Sequence, residues 1–201
     1  MNLSEKIKSF IYSNIVPSNK RAIGVEIEGL YYNNHFKRLP VNPTDNYSAT
    51  DLLNDIKQGN SIESSFNYSL EPGGQIEWAS GQSIRLWDIK KQFDNHVELE
   101  NSICRKNQIK RLYLSVDPLY KPQEIDLIRS KKYESMDKIF QKSGSMGSWM
   151  MRNTASIQVN IDFTSKQDAN EMAFIADAVQ PLLSILFSNA PFMNRKLVKT
   201  N

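Results

Sequence analysis

Four glutamates stand on the polar side of three segments, residues 23–28, 70–78 and 154–161, in which polar and apolar residues alternate. Successive side chains of a strand point to opposite faces. Glu26 and Glu28 therefore oppose Val25 and Ile27, and Gln75 and Glu77 oppose Ile76 and Trp78. In the third segment Thr154, Ser156, Gln158 and Asn160 oppose Ile157, Val159 and Ile161. Glu71 joins the set at the Glu71-Pro72-Gly73-Gly74 turn. Carboxylates crowded onto one surface repel one another and cannot all stay ionised without a cation. Mg²⁺ or Mn²⁺ suits oxygen ligands and is commonly shared between carboxylates and nucleotide phosphates, where it neutralises charge at a transferring phosphoryl group. A pair of carboxylates would also suffice for glycoside hydrolysis, but these polar faces bring no aromatic platform for a sugar. No Gly-x-x-x-x-Gly-Lys-Ser/Thr loop occurs, so a bound nucleotide is not held by a P-loop. Each glutamate alone reads as a solvated strand residue before it reads as a ligand; the coincidence of three strands brings the two readings level.

The elements that must position these residues follow from periodicity. A helix opens the chain through residue 15, stopped by Pro17, and a strand follows over 22–32 with Gly24 inside it. Residues 35–58 start as a loop around Pro40, Pro43 and Asn46 and end in a short helix over 49–58, announced by Ser48-Ala49-Thr50-Asp51. A short strand near 65–70 runs into Pro72-Gly73-Gly74, strong turn chemistry, and 75–79 is the return strand. Apolar residues at Ile84, Trp87, Phe93, Val97 and Leu99 give helical spacing over 84–104. A strand over 109–116 and an amphipathic helix over 131–142 come next, broken by residues 143–147. A strand is expected over 153–163. The last helix starts near Ser165 with Asp168 as cap partner, buries a stripe of Ala169, Met172, Ala173, Ala176 and Val179, and kinks at Pro181. Strands interleaved with helices predict a two-layer α+β fold, an antiparallel or mixed sheet whose apolar side packs on helices and whose polar side stays open.

Length and composition bound the class. The chain has 201 residues, 40% apolar and 23% charged, ordinary for a globular domain with a substantial core. It shows no internal repeat, no low-complexity tract and no dividing linker, so a single domain over 1–201 is expected. No stretch reaches the length of a membrane span and the first residues lack a secretory signal, which makes the cytoplasm the default compartment. Cys104 is the only cysteine; an internal disulfide is impossible, a cysteine-based zinc site is disfavoured, and neither His35 nor His96 is an evident partner for it. The net charge of +3 is slight, and the basic clusters at 105–111 and 129–132 lack interleaved aromatics. Nucleic-acid binding is not expected, and these clusters read as solvated faces before they read as phosphate contacts.

At this point the segments resemble a family. Ile23-Gly24-Val25-Glu26-Ile27-Glu28, Leu70-Glu71-Pro72-Gly73-Gly74-Gln75-Ile76-Glu77 and Gln158-Val159-Asn160-Ile161-Asp162-Phe163, in that order, are similar to the glutamate–cysteine ligases of the plant and bacterial type. The run from Gln180-Pro181 to Asn189-Ala190-Pro191-Phe192 extends the likeness. The resemblance implies a glutamine-synthetase-like sheet with the active site on its open face. It implies condensation of the glutamate γ-carboxyl with the amine of L-cysteine, driven by ATP with Mg²⁺ through an acyl phosphate, the first step of glutathione synthesis. Carried over by motif, Glu26, Glu28, Glu71 and Glu77 are the metal candidates, with Glu26 and Glu71 also facing the nucleotide. Gln75, Thr154, Gln158 and Asn160 would line the substrate floor. Relatives often carry Arg immediately before the threonine, where this chain has Asn153; Arg152 lies one position earlier and, if the strand began there, would alternate onto the Thr154 face as an anion contact. The likeness covers only the N-terminal portion of the family, so the domain is expected to be incomplete, truncated at the C-terminal side. A related ligase with another amine acceptor, and a non-catalytic piece that needs a complementary C-terminal chain, are the alternatives.

Overall fold

The computed structural model describes residues 2–60 and 65–198, apart from the side chain of Ser145. The first helix, α1 (Leu3–Tyr12), is closed at its start by a reciprocal pair in which Asn2 and Glu5 satisfy each other's backbone N–H groups. It stops three residues short of the expected end. The strand that follows, β1 (Ile23–Asn33), organises the sheet. Next come α2 (Ala49–Gly59), capped by Ser48 and Asp51 as expected, β2 (Asn67–Leu70), β3 (Ile76–Ala79), α3 (Leu86–Lys106) and β4 (Ile109–Leu112). The chain continues through α4 (Lys131–Ser143), α5 (Ser145–Asn153), β5 (Ile157–Ile161) and α6 (Lys166–Leu186) to a small hairpin, β6 (Phe192–Met193) with β7 (Lys196–Leu197).

The fold is α+β and every pairing in the sheet is antiparallel, in the order β2-β3-β1-β4, with β5 also on β1. One edge of β1 pairs with β3 over Glu26–Gly29. Its other edge is divided: Ile23–Ile27 pair with β5, and Leu30–Asn33 pair with β4. The helical layer is α2 with α3. Trp78, Tyr31, Leu52, Ile56 and Ile76 are fully enclosed there, and Ile27, Val25 and Phe93 pack at the margin. Trp78 lies between Phe66, Phe93 and His96, stacked on His96 with ring centres 5.2 Å apart.

Four expectations need correction. The strand expected over 153–163 is shorter, because the chain from Ser145 to Asn153 is a second helix. Gly144, at φ +136°, turns the backbone between α4 and α5, a conformation open to glycine and strained for other residues. Thr154 keeps only an isolated bridge to Val116, and the strand over 109–116 ends at Leu112. The stripe expected to be buried on α6 is not: Ala173 and Ala176 are exposed, and Ala169, Met172 and Val179 are half-buried. Nor do helices cover the whole apolar side of the sheet. Ile157 and Val159 are 70% and 61% exposed. The helical layer backs β2, β3, β1 and β4 and leaves β5 bare. Among the described residues no helix is long and apolar enough to cross a membrane.

The uneven burial predicts uneven mutational costs. Leu52→Ala, within the α2–α3 layer, should lower the unfolding free energy by about 2–5 kcal/mol in urea denaturation. Ile185→Ala, on exposed α6, should stay within about 0.5 kcal/mol of the parent.

Candidate active site on the open face

The register brings the glutamates together. Glu28 lies opposite Glu77, Glu26 lies opposite both Ala79 and Gln158, Gly24 lies opposite Asn160, and Ser69 lies opposite Glu77. Directly opposed residues share a face, so three carboxylates, two amides and a serine hydroxyl occupy one side of four strands. Glu71 follows β2 by one residue and, two positions beyond Ser69, continues the same alternation. Asn160 donates its amide N–H to Glu26 Oε1 at 2.9 Å, Ser69 donates its hydroxyl to Glu77 Oε1 at 2.8 Å, and the backbone N–H of Ser156 donates to Glu28 Oε2 at 2.8 Å. Ser69 and Ser156 thus belong to the site, and the signal for both was their alternation with the glutamates.

The electrostatics reflect the crowding. Burial, then the charges of Glu77 and Glu28, push the Glu71 carboxyl up to about 7, with Lys132 at the start of α4 pulling the other way and Glu26 adding to the rise. Glu28 is also raised, first by burial; the bond from Ser156 opposes this, and the Glu77 charge adds to it. Among the described residues no three His, Cys, Asp or Glu side chains form a set able to hold a metal ion unaided. The side chains of this face offer carboxylate and amide oxygens, which suit a hydrated Mg²⁺ held by one or two carboxylates and do not suit an all-protein cage.

Other candidates play different parts. Gln75 is buried; its Oε1 accepts from Gly73 N at 3.1 Å and its Nε2 donates to Thr154 O at 2.8 Å, so its amide braces the turn against the chain entering β5. The Thr154 hydroxyl is turned back to the Met150 carbonyl at 2.8 Å. Arg152 lies within α5, so strand alternation does not carry it to the glutamates. Its guanidinium engages Asp137 at 2.6 Å and the carbonyl of Ile125 at 2.7 Å. Gln158 and Asn160 are exposed on the open face. Gly74, at φ +81°, makes the turn, and a Cβ on Gly73 would collide with the Arg152 backbone. The pair thus makes a tight turn packed on the end of α5.

What sequence reasoning missed is the clamp behind the turn. Arg38 Nη1 contacts Asp117 Oδ2 at 2.7 Å, both side chains almost fully enclosed, and Arg38 Nη2 donates to the carbonyls of Gly73 and Arg152, each at 2.8 Å. Asp117 Oδ1 also accepts from the Tyr32 hydroxyl at 2.7 Å and from the backbone N–H groups of Leu119 and Tyr120. One guanidinium therefore ties the Glu71 turn to the end of α5. Arg38 and Asp117 are 79 residues apart and carry no spacing signal. Asp117→Ala should cost about 3–5 kcal/mol in denaturant unfolding, because it strands the buried Arg38 charge. A second expectation concerns pH. The folded state holds the Glu71 proton more tightly than the unfolded chain, whose carboxyl has its ordinary value near 4.5. The associated stability is complete below about 4.5 and is lost as pH rises through about 7. Glu71→Gln should flatten that fall in urea titrations run across this range.

Comparison with known proteins places the chain in a family. The model of glutamate-cysteine ligase family 2 (GCS2) matches residues 22–196. The chloroplastic glutamate–cysteine ligase of Medicago truncatula is 30% identical over 152 residues, 76% of this chain and 29% of that protein. The chloroplastic enzyme of Arabidopsis thaliana is 29% identical over 146 residues, 73% of this chain and 27% of its own length. Glutamate–cysteine ligase B of Oryza sativa subsp. japonica, also named chloroplastic, is 26% identical over 205 aligned positions, 96% of this chain and 40% of its own length. The chain spans well under half the length of these relatives. With a match that runs through β1, the Glu71 turn and β5, the chain belongs to glutamate-cysteine ligase family 2.

Proposed function

We propose that this chain carries the metal- and nucleotide-facing part of an ATP-dependent ligase that joins the γ-carboxyl of L-glutamate to the amine of L-cysteine. The observation that carries the reading is the face shared by Glu26, Glu28, Glu71 and Glu77, where burial and mutual repulsion lift Glu71 to about 7. The family membership and the names of the relatives support the choice of substrates. The all-antiparallel sheet with one open acidic face is in keeping with a glutamine-synthetase-like arrangement.

In this reading a γ-carboxylate oxygen of glutamate attacks the terminal phosphorus of ATP and ADP leaves. The cysteine amine then attacks the acyl carbon, phosphate leaves, and the amine gives up a proton. Bound Mg²⁺ would supply charge neutralisation at the phosphoryl oxygens. Glu26, Glu28, Glu71 and Glu77 would hold it, and Glu26 and Glu71 would also face the nucleotide. Gln158 and Asn160 offer amide groups to the substrate from β5, and Ser69, Ser156 and Asn160 hold the carboxylates in orientation. Gln75 and Thr154 act on the substrate floor only through the backbone they brace, and Arg152 acts through the α5–Asp137 contact.

A second reading is favoured by the bare apolar side of β5 and by α6, where Phe174 is 74% exposed. In it, turnover needs further polypeptide of the family packed on those surfaces, a complementary C-terminal chain among them. Incubation with ATP, Mg²⁺, L-glutamate and L-cysteine, followed by ADP release with cysteine and then other amines, separates the possibilities. Release specific to cysteine supports the first reading, release with another amine points to a related ligase, and no release with any amine supports the second. Glu71→Gln and Glu77→Gln should each weaken Mn²⁺-dependent nucleotide binding at least about tenfold, the order of a lost charged contact; unchanged binding removes the site assignment.

A further inference from the structure

Beneath the open face lies a second buried ion pair that the proposed chemistry does not use. Glu100, in the middle of α3, has a side chain only 2% exposed. Its carboxylate accepts from Arg111 Nη1 at 2.9 and 3.1 Å and from the Tyr31 hydroxyl. His96, one turn earlier on α3, has its Nε2 3.4 Å from Arg111 Nη1, while its Nδ1 meets the Tyr68 hydroxyl at 3.0 Å. Arg111 does not stop at this cluster. Its Nη2 donates to the backbone carbonyl of Glu28 at 3.2 Å.

That carbonyl sits at a special point of the sheet. Glu28 lies where the divided edge of β1 changes partner: the β5 ladder ends at the Ile27–Ile157 pair and the β4 ladder starts at the Leu30–Leu112 pair. The Glu28 N–H still donates to Ser156 O at 3.0 Å, on the β5 side of the junction. Its carbonyl is met by a guanidinium where a regular strand would offer a backbone N–H. The guanidinium is itself anchored to α3 through the Glu100 carboxylate, both of whose oxygens accept from its Nη1.

We propose that Arg111, held by Glu100, is a positioning residue for Glu28: it replaces the missing strand partner at the β5–β4 junction and thereby sets where the Glu28 carboxylate stands on the open face. The inference rests on the reading of that face as a metal–nucleotide site, but its first readout does not. Arg111 touches no reacting group. It acts through the β1 backbone, and the element it works from is the helical layer on the far side of the sheet.

The test uses two variants of the chain. Glu100→Gln with Arg111→Met removes both charges together, so that neither is left buried alone, and keeps an acceptor for the Tyr31 hydroxyl. Tyr31→Phe disturbs the same cluster and leaves the bond to Glu28 O in place. The first readout is native-state amide hydrogen exchange. In the double variant the Glu28 amide should lose at least about tenfold in protection relative to core amides such as Ile76 and Ile56. In Tyr31→Phe that ratio should be unchanged even if the unfolding midpoint falls. The second readout is the affinity for Mn²⁺ with ATP, followed by electron paramagnetic resonance of free Mn²⁺, which should weaken at least about fivefold in the double variant only. Unchanged Glu28 protection in the double variant, or an equal loss in Tyr31→Phe, overturns the proposal. If the parent protein binds no Mn²⁺–ATP, the reading of the site fails, and the exchange data still decide the role of Arg111.

Discussion

The register of β1 governs the structure. This strand meets β3 on one edge and both β5 and β4 on the other. Because strand side chains have a period of two, a slip of one residue would send Glu26 and Glu28 into the helical layer and Val25 and Ile27 to the open face. The slip is opposed from both sides. Ile27 and Val25 pack against a core centred on Trp78, and the three glutamates on the strands find donors on the open face. The acidic surface and the apolar core are therefore two consequences of one alignment.

Two buried guanidiniums complete what the ladder cannot. Arg38 with Asp117 joins the Glu71 turn to the end of α5, and Arg111 with Glu100 joins α3 to the carbonyl of Glu28. Both act on main-chain carbonyls where the backbone leaves regular pairing. Arginine suits the task because its planar fork offers several donors at once and keeps its charge when enclosed. Burial leaves His96 neutral, its pKa lowered to about 4, so Arg111 is the cation that answers Glu100. Cys104 is inert for the same reason: burial, then the Glu100 charge, push its thiol up to about 12.

The surfaces divide as unevenly as the core. The helical layer encloses one part of the sheet, whereas β5, α1 and α6 present large apolar side chains outward. Exposed apolar side chains gathered on one surface are characteristic of contact surfaces. The four glutamates lie on the opposite side of the sheet from the bare apolar face of β5, so covering one leaves the other open.

Much of this was legible in the residues themselves. Alternation identified the strands around Glu26, Glu77 and Gln158 and the face each glutamate takes, because the period of a strand is a local property. Pro72-Gly73-Gly74 announced its turn, and Ser48 with Asp51 announced a helix start, for the same reason: a single backbone conformation satisfies them. The helix over Ser145–Asn153 escapes a local reading: the Gly- and Ser-containing run at 143–147 resembles a break, and the alternation from Thr154 onward puts a strand start at Asn153. The packing of α6 was misjudged because an amphipathic stripe reports what a helix can bury and leaves open whether a neighbour is there. Tertiary structure alone decided which strands lie side by side, that Gln75 faces inward as a brace, and that Arg38 and Arg111 end on carbonyls of the Glu71 turn and of Glu28. Those contacts join residues 35 to 114 positions apart in sequence, and no local periodicity encodes them. The sequence determined the chemistry available to this protein; the geometry that brings the carboxylates together comes from long-range pairing and buried charge.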